Sequence, residues 1–345
     1  MRAVVYAGPG EVVLAEVPRP TLLAPTDAIV RVTLAGICGT DLHVVRGDFP
    51  GLTPGTVVGH EFVGQVVEAG EELRRIHTGD TVMSSDFSAC GHCRWCDRAD
   101  HWHCSERSFF GTGTAFGPLL GGAQAEFVRV PHADVTLGVM PAGVTAEAAL
   151  LMGDNLATGW VAVERAGTAP GDCVVVIGGG TVGQLAALSA QTAAAGVVVV
   201  VEPHEGRRAF AQQRGAIGVH PDRAAAVVAN VSEGDGADVV IEAVGGNGPL
   251  DLALSLARPS GRVVSVGAHA AEAWTFPVAR AFREELTLSF AIGDGIRLRR
   301  KLLRLVASGA IDPTVVIDAR GSLADAPALY RQLVTQECLK AVVSP

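Results

Sequence analysis

The sequence predicts a two-domain α/β protein in which an irregular β-rich domain is joined to a doubly wound parallel sheet. Three observations carry this. Between Ala146 and Gly293, compact Val/Ile runs alternate with Ala-rich, helix-length stretches, the texture of a sheet covered by helices on both faces. Before Ala146 the apolar runs are short, β-branched and separated by Gly, Pro and Asp, as in a barrel or sandwich with long loops. The length of 345 residues accommodates two domains of ordinary size.

In chain order, the first domain's strands are expected at Ala28 to Leu34, Val57 to Val67, Asp80 to Met83 and Glu126 to Val130. The parallel sheet follows with Cys173 to Ile177, Val197 to Val201, a weaker run at Ile217 to His220, Asp238 to Ile241, Arg262 to Val266 and Leu286 to Phe290. A helix at Leu323 to Thr335 and a strand at Lys340 to Ser344 close the chain. The domains are drawn at 1–150, 151–293 and 294–345, the last segment returning to the first domain.

Composition narrows the function. A hydrophobic fraction of 48% with 18% charged residues excludes overall disorder. The net charge of -9, with no Lys/Arg cluster expected to offset it, speaks against a nucleic-acid partner. The longest apolar stretch, Leu185 to Val201, is interrupted by Ser189, Gln191, Thr192 and Gly196, so no membrane span is expected. An odd total of seven cysteines points to reduced thiols; Met1 to Tyr6 runs straight into Gly8-Pro9-Gly10-Glu11, so no signal peptide and a cytoplasmic location are expected.

The run Cys173 to Ile177 leads directly into Gly178-Gly179-Gly180-Thr181-Val182-Gly183. In this G-x-G-x-x-G, Gly178 makes the tight turn, Gly180 admits a pyrophosphate, and Gly183 lets helix and strand pack. The amides opening the helix at Thr181 and Val182 face the phosphates. Glu202 ends the next strand 19 residues after Gly183, placed to accept from ribose hydroxyls and to repel a 2'-phosphate. NAD is therefore favoured, with Arg207 and Arg208 keeping NADP as the lesser alternative.

Four of the cysteines, Cys90, Cys93, Cys96 and Cys104, fall within 15 residues. Four thiolates on so short a loop suit a closed structural zinc, with an iron-sulfur cluster as the alternative. His92, His101 and His103 are interleaved but are not needed as ligands.

With Cys38-Gly39-Thr40-Asp41-Leu42-His43 and Gly59-His60-Glu61-Phe62 placed ahead of these two motifs, the chain resembles the zinc-dependent medium-chain alcohol dehydrogenases over essentially its whole length. The resemblance implies a GroES-like catalytic domain, a Rossmann domain, and hydride transfer between an alcohol, or its aldehyde or ketone, and the nicotinamide. It further implies two zinc ions. One is held by Cys38, His60 and Asp154, where other members have a cysteine; the other is held by the four-cysteine loop. In this it is similar to the formaldehyde-dehydrogenase-like and bacterial secondary-alcohol branch. Glu61 is implied beside the metal, and Thr40 and His43 in a proton relay that runs through the cofactor ribose. Val244, Gly245 and Gly267 are implied at the nicotinamide, Lys340 at the pyrophosphate, and the assembly is a homo-oligomer, a tetramer by analogy. Phe49, Trp95, Phe110 and Phe116 are the candidates for an apolar substrate lining. A formaldehyde-type dehydrogenase or dismutase, a polyol or amino-cyclitol dehydrogenase, and a catalytically silent nucleotide-binding sensor stay open as rivals.

Overall fold

A computed structural model describes residues 1–271 and 273–345, which divide into two compact units. Met1–Asp154 and Asp294–Pro345 form one; Asn155–Gly293 forms the other.

The first unit is built on a seven-stranded sheet. Ala319–Ser322, Ala341–Ser344, Ala28–Ile37, Phe62–Ala69, Thr81–Ser84 and Leu137–Val139 are neighbours in that order, and Phe127–Val130 also pairs with Ala28–Ile37. Only Ala319–Ser322 and Ala341–Ser344 run parallel. The returning C-terminal chain is therefore joined by its ladder to the strand that precedes Cys38. Val30, Ile37, Phe62, Val82, Phe110 and Val343 meet in the core, each 1% exposed or less. Each such side chain stabilises the unit by about 1.5–3 kcal/mol.

Three expectations are corrected. The run Val57 to Val67 is not one strand, because the ladder begins only at Phe62. Gly59 adopts φ +92°, a left-handed conformation that breaks a β ladder, so His60 and Glu61 fall in the irregular segment before the strand. The helix expected at Leu323 to Thr335 is a 3-10 turn, Leu323–Asp325, followed by the helix Ala326–Val334. Finally, basic residues do cluster: the helix Gly295–Ala307 carries Arg297, Arg299, Arg300, Lys301 and Arg304. Arg299 turns inward, donating to the carbonyls of Leu137 (2.7 Å) and Thr136 (2.6 Å).

The second unit is a six-stranded, wholly parallel sheet. Its order is Ile217–Val219, Val197–Val201, Cys173–Ile177, Ala237–Glu242, Ala257–Ser265, Thr287–Phe290. Strand order reverses beside Cys173–Ile177, the switch point where open α/β sheets bind ligands at their carboxyl ends. Val175, Val199, Val240 and Val263 fill the interior with no exposure. No helix among the described residues is long and apolar enough to cross a membrane.

Candidate active site

Cys38 follows the strand Ala28–Ile37 and is the N-cap of the helix Gly39–Arg46. Its N–H donates to Asp41 Oδ2 at 2.9 Å, pinning the turn. Asp154 is the C-cap of the helix Ala146–Gly153. Gly36 leaves room for Glu61, whose carboxylate oxygen would lie 1.7 Å from a Cβ at that position.

These elements bring Cys38, His60, Glu61 and Asp154 together, with one donor atom from each within 4.8 Å of the others. Cys38 Sγ is 3.5 Å from Asp154 Oδ2, and His60 Nε2 is 3.4 Å from the same oxygen. His60 Nδ1 donates to Asp41 Oδ1 at 3.0 Å, which fixes the tautomer and leaves the lone pair on Nε2. That nitrogen is buried without a hydrogen-bond partner among the described residues, as a metal ligand would be. Burial pushes the Cys38 thiol up to about 11, and the charges of Asp154 and Glu61 push the same way. A thiol, an imidazole and a carboxylate converging in a dry site fit a zinc with one position left open.

The four-cysteine loop fits a second ion. Cys93 and Cys96 sulfurs are 3.6 Å apart and those of Cys90 and Cys96 4.0 Å, bracketing the ~3.8 Å edge of a tetrahedron with 2.3 Å zinc-sulfur bonds. Backbone N–H groups of Cys90 and Glu106 point at Cys104 Sγ, and that of Gly91 at Cys96 Sγ. Backbone N–H groups, chiefly of Cys96 and Ser105, pull Cys93 down to about 5. The interleaved histidines are occupied otherwise: His101 pairs with Asp294 at 3.0 Å, His92 Nδ1 meets the Cys90 carbonyl, and His103 packs on Trp95.

Thr40 stands half-buried in the first turn after Cys38, and His43 one turn further on. His43 Nδ1 lies 2.7 Å from Asp48 Oδ2, while Arg46 is 3.0 Å from that nitrogen and 3.1 Å from that carboxylate. The expected aromatic lining is partly corrected. Phe110 is fully buried against Phe62, and Trp95 lies on the four-cysteine lobe between Arg94 and Arg98. A continuous series runs instead from His60 to Phe109 (5.2 Å), Phe116 (5.5 Å), Phe49 (5.0 Å) and His43 (6.2 Å between ring centroids).

In the second unit, Gly180 is the N-cap of the helix Thr181–Thr192, and a Cβ there would meet nothing within 4 Å, leaving space for a phosphate. A Cβ on Gly183 would lie 1.8 Å from the Gly178 carbonyl, so helix and turn pack directly. Glu202 is buried, with Oε2 accepting from Gly179 N–H (2.7 Å) and Oε1 from His204 N–H (2.8 Å). A carboxylate has about four acceptor sites, so both oxygens retain capacity for ribose hydroxyls. Arg208 is spent on the carbonyls of Glu202 and Pro203; Arg207 is half-buried, and its Nε lacks a partner among the described residues. Val244 is 46% exposed beside Gly245, and Gly267 packs on Gly245.

Lys340 departs from expectation. Rather than standing ready for a cofactor phosphate, it is 1% exposed with its ammonium on Glu61 Oε2. A buried carboxylate next to His60 needs a countercharge, and Lys340 supplies it. Asp41, Asp48, Gln124 and Phe109 went unnoticed in the sequence. Asp41 was visible three residues after Cys38, but Gln124, which holds the Gly36 carbonyl at 2.9 Å and accepts from Tyr330, is distant from both.

Comparison with known proteins agrees with this geometry. Residues 24–142 match the model of the alcohol dehydrogenase GroES-like domain, and residues 181–308 that of the zinc-binding dehydrogenases. A probable zinc-binding alcohol dehydrogenase of Mycobacterium tuberculosis is 41% identical over 313 residues, covering 90% of this chain and 80% of the relative. The solved alcohol dehydrogenase from Thermus sp. ATN1 superposes with a TM-score of 0.95 at 38% identity, covering 100% of this chain and 99% of that one. A putative zinc-binding dehydrogenase from Sinorhizobium meliloti 1021, bound to NADP, gives 0.85 at 29% identity, covering 100% and 99%.

Proposed function

The chain belongs to the zinc-dependent alcohol dehydrogenase family, and on that premise we propose that it oxidises an apolar alcohol, or reduces the corresponding carbonyl compound, with NAD. The observation that carries the substrate class is the aromatic series between His60 and His43, a wall that favours hydrocarbon over a polyol. A turnover screen of aromatic, secondary, short primary and polyol alcohols with both cofactors tests it. Highest kcat/KM on a polyol would overturn the substrate reading, tightly retained nicotinamide with dismutation would favour the formaldehyde-type rival, and no turnover at all would favour the silent sensor.

Cys38, His60 and Asp154 would hold the catalytic zinc, and Cys90, Cys93, Cys96 and Cys104 the structural one. Zinc in the first set supplies Lewis acidity toward the substrate hydroxyl, and NAD supplies the hydride acceptor. Thiolate and carboxylate together neutralise the dication, so proton removal leans more on the protein. Thr40 Oγ takes the hydroxyl proton toward His43, whose Nε2 accepts it when Nδ1–H donates to Asp48. Asp48 is held below its ordinary 3.8, first by the His43 hydrogen bond. A lowered carboxylate keeps its charge above 3.8 and loses it only as pH falls further, so the contact persists at every working pH. Asp48→Ala should therefore lower kcat about tenfold across pH 6–9 with little change in KM; an unchanged kcat would remove Asp48 from the relay.

Glu202 supports NAD over NADP. Bringing a 2'-phosphate against a buried carboxylate costs several kcal/mol, so kcat/KM should favour NAD by about a hundredfold or more. Arg207 is the group by which the chain could instead follow the NADP-bound Sinorhizobium protein, and a clear NADP preference would establish that. A homo-oligomer, with a tetramer as the expected form, is supported by the outer strand Thr287–Phe290 and by the exposure of Val278, Phe282, Phe290 and Ile292 at 66, 84, 54 and 47%. Sedimentation velocity showing only monomer would overturn it.

A further inference from the structure

The second unit holds a buried polar chain that the glycine motif does not explain. Glu242 ends the strand Ala237–Glu242 with no exposed surface. Its Oε1 accepts from the N–H groups of Val244 (2.6 Å) and Gly245 (2.7 Å), and its Oε2 from Ser265 Oγ (2.6 Å). The next amide, Gly246 N–H, donates to His269 Nδ1 at 3.1 Å. An imidazole nitrogen that accepts carries the lone pair, so the proton of neutral His269 sits on Nε2. Nε2 lies 2.7 Å from Ser265 Oγ and donates to it. The chain of donors therefore has one direction, from His269 through Ser265 to Glu242.

Gly245 and Gly246 have φ of +90° and +88°, and successive amides in such a turn form a concave nest for anions. Here all three amides are consumed internally, so the backbone groups left to this loop for a ligand are its carbonyl oxygens. Carbonyls take hydroxyl and amide N–H donors, which a nicotinamide riboside carries, and reject phosphate. Gly267 ties the two segments into one block, since a Cβ there would be 2.2 Å from Gly245 N.

We propose that His269, acting through Ser265 and Glu242, is a positioning residue that holds the loop 244–246 as an acceptor face for the nicotinamide-ribose half of the cofactor. The proposal rests on the reading of this unit as a nicotinamide-dinucleotide site.

The test separates the two halves of the cofactor. ADP probes only the adenosine and pyrophosphate half; NADH probes both. His269 has a side chain 21% exposed that packs edge-on to Phe290, so His269→Phe keeps the ring and removes both hydrogen bonds. It should raise the NADH Kd and the KM for NAD about tenfold, leave the ADP Kd within about twofold, and barely change kcat at saturating NAD. Ser265→Ala should show the same split, and His269→Asn, which keeps an acceptor for Gly246 N–H, should recover part of the loss. Equal loss of ADP and NADH binding in both variants, or no loss in either, overturns the positioning role. Wild-type protein that binds neither ADP nor NADH overturns the underlying reading instead, and the proposal with it.

Discussion

Asp154→Ala should abolish turnover, lowering kcat by about ten-thousandfold or more, while NADH still binds with its wild-type Kd. The expectation follows from the placement of Asp154 Oδ2 within 3.5 Å of both Cys38 Sγ and His60 Nε2. In the proposed zinc site, removing this carboxylate deletes one of three protein ligands and the charge that completes neutralisation of a dication. It leaves the four-cysteine loop untouched, because none of that loop's sulfurs belongs to the Asp154 cluster. Metal analysis should find two zinc ions per wild-type chain and one in the variant. One zinc in the wild type, or iron in place of zinc, would sink the two-site assignment. Two zinc ions retained by an inactive variant would make Asp154 a structural residue rather than a ligand. Asp154→Cys is the informative companion, since it restores a donor and a negative charge, and it should recover part of the metal and of the rate.

What could be read in advance was whatever chemistry forces into a short spacing. The four cysteines, the glycine motif and the pairs around Cys38 and His60 are local strings, and each declares a ligand type. The break at Gly59 was less legible, because glycine in a β-rich stretch is compatible with a continuous strand until its φ of +92° is known. Contacts across the fold were illegible. Gln124 reaches Gly36 and Asp41 across more than 80 residues, and nothing near Gln124 announces it. The aromatic candidates show the same limit. Phe49 and Phe116 belong to the series beside His43, but Phe109 and Phe110 exchange roles with a step of one residue. Phe109 ends the two-residue strand Ser108–Phe109 and Phe110 opens the turn after it, so the two buried rings leave the chain in different directions, which composition does not announce.

The pairing of Glu61 with Lys340, 279 residues apart, leads to the second large effect. Both groups are buried, at 2% and 1% exposure. Burial raises the Glu61 carboxyl, and Lys340 counters that shift. Lys340→Met keeps the length of the side chain but strands a carboxylate beside His60 and Asp154. Breaking one partner of such a pair typically costs about 3–5 kcal/mol, so Tm should fall by roughly 4–7 °C for a chain of 345 residues. Replacing both partners, as in Glu61→Leu with Lys340→Met, removes the orphan charge and should recover most of the lost stability. Non-additivity is therefore the decisive reading. If the double variant is as unstable as the sum of the two single ones, Lys340 stabilises the strand Ala341–Ser344 by packing alone, and the ion pair is incidental. Recovery would instead show that the instability of Lys340→Met comes from the orphaned Glu61 carboxylate, so that the C-terminal chain paired with the strand leading to Cys38 carries the countercharge for a carboxylate beside the proposed metal ligands.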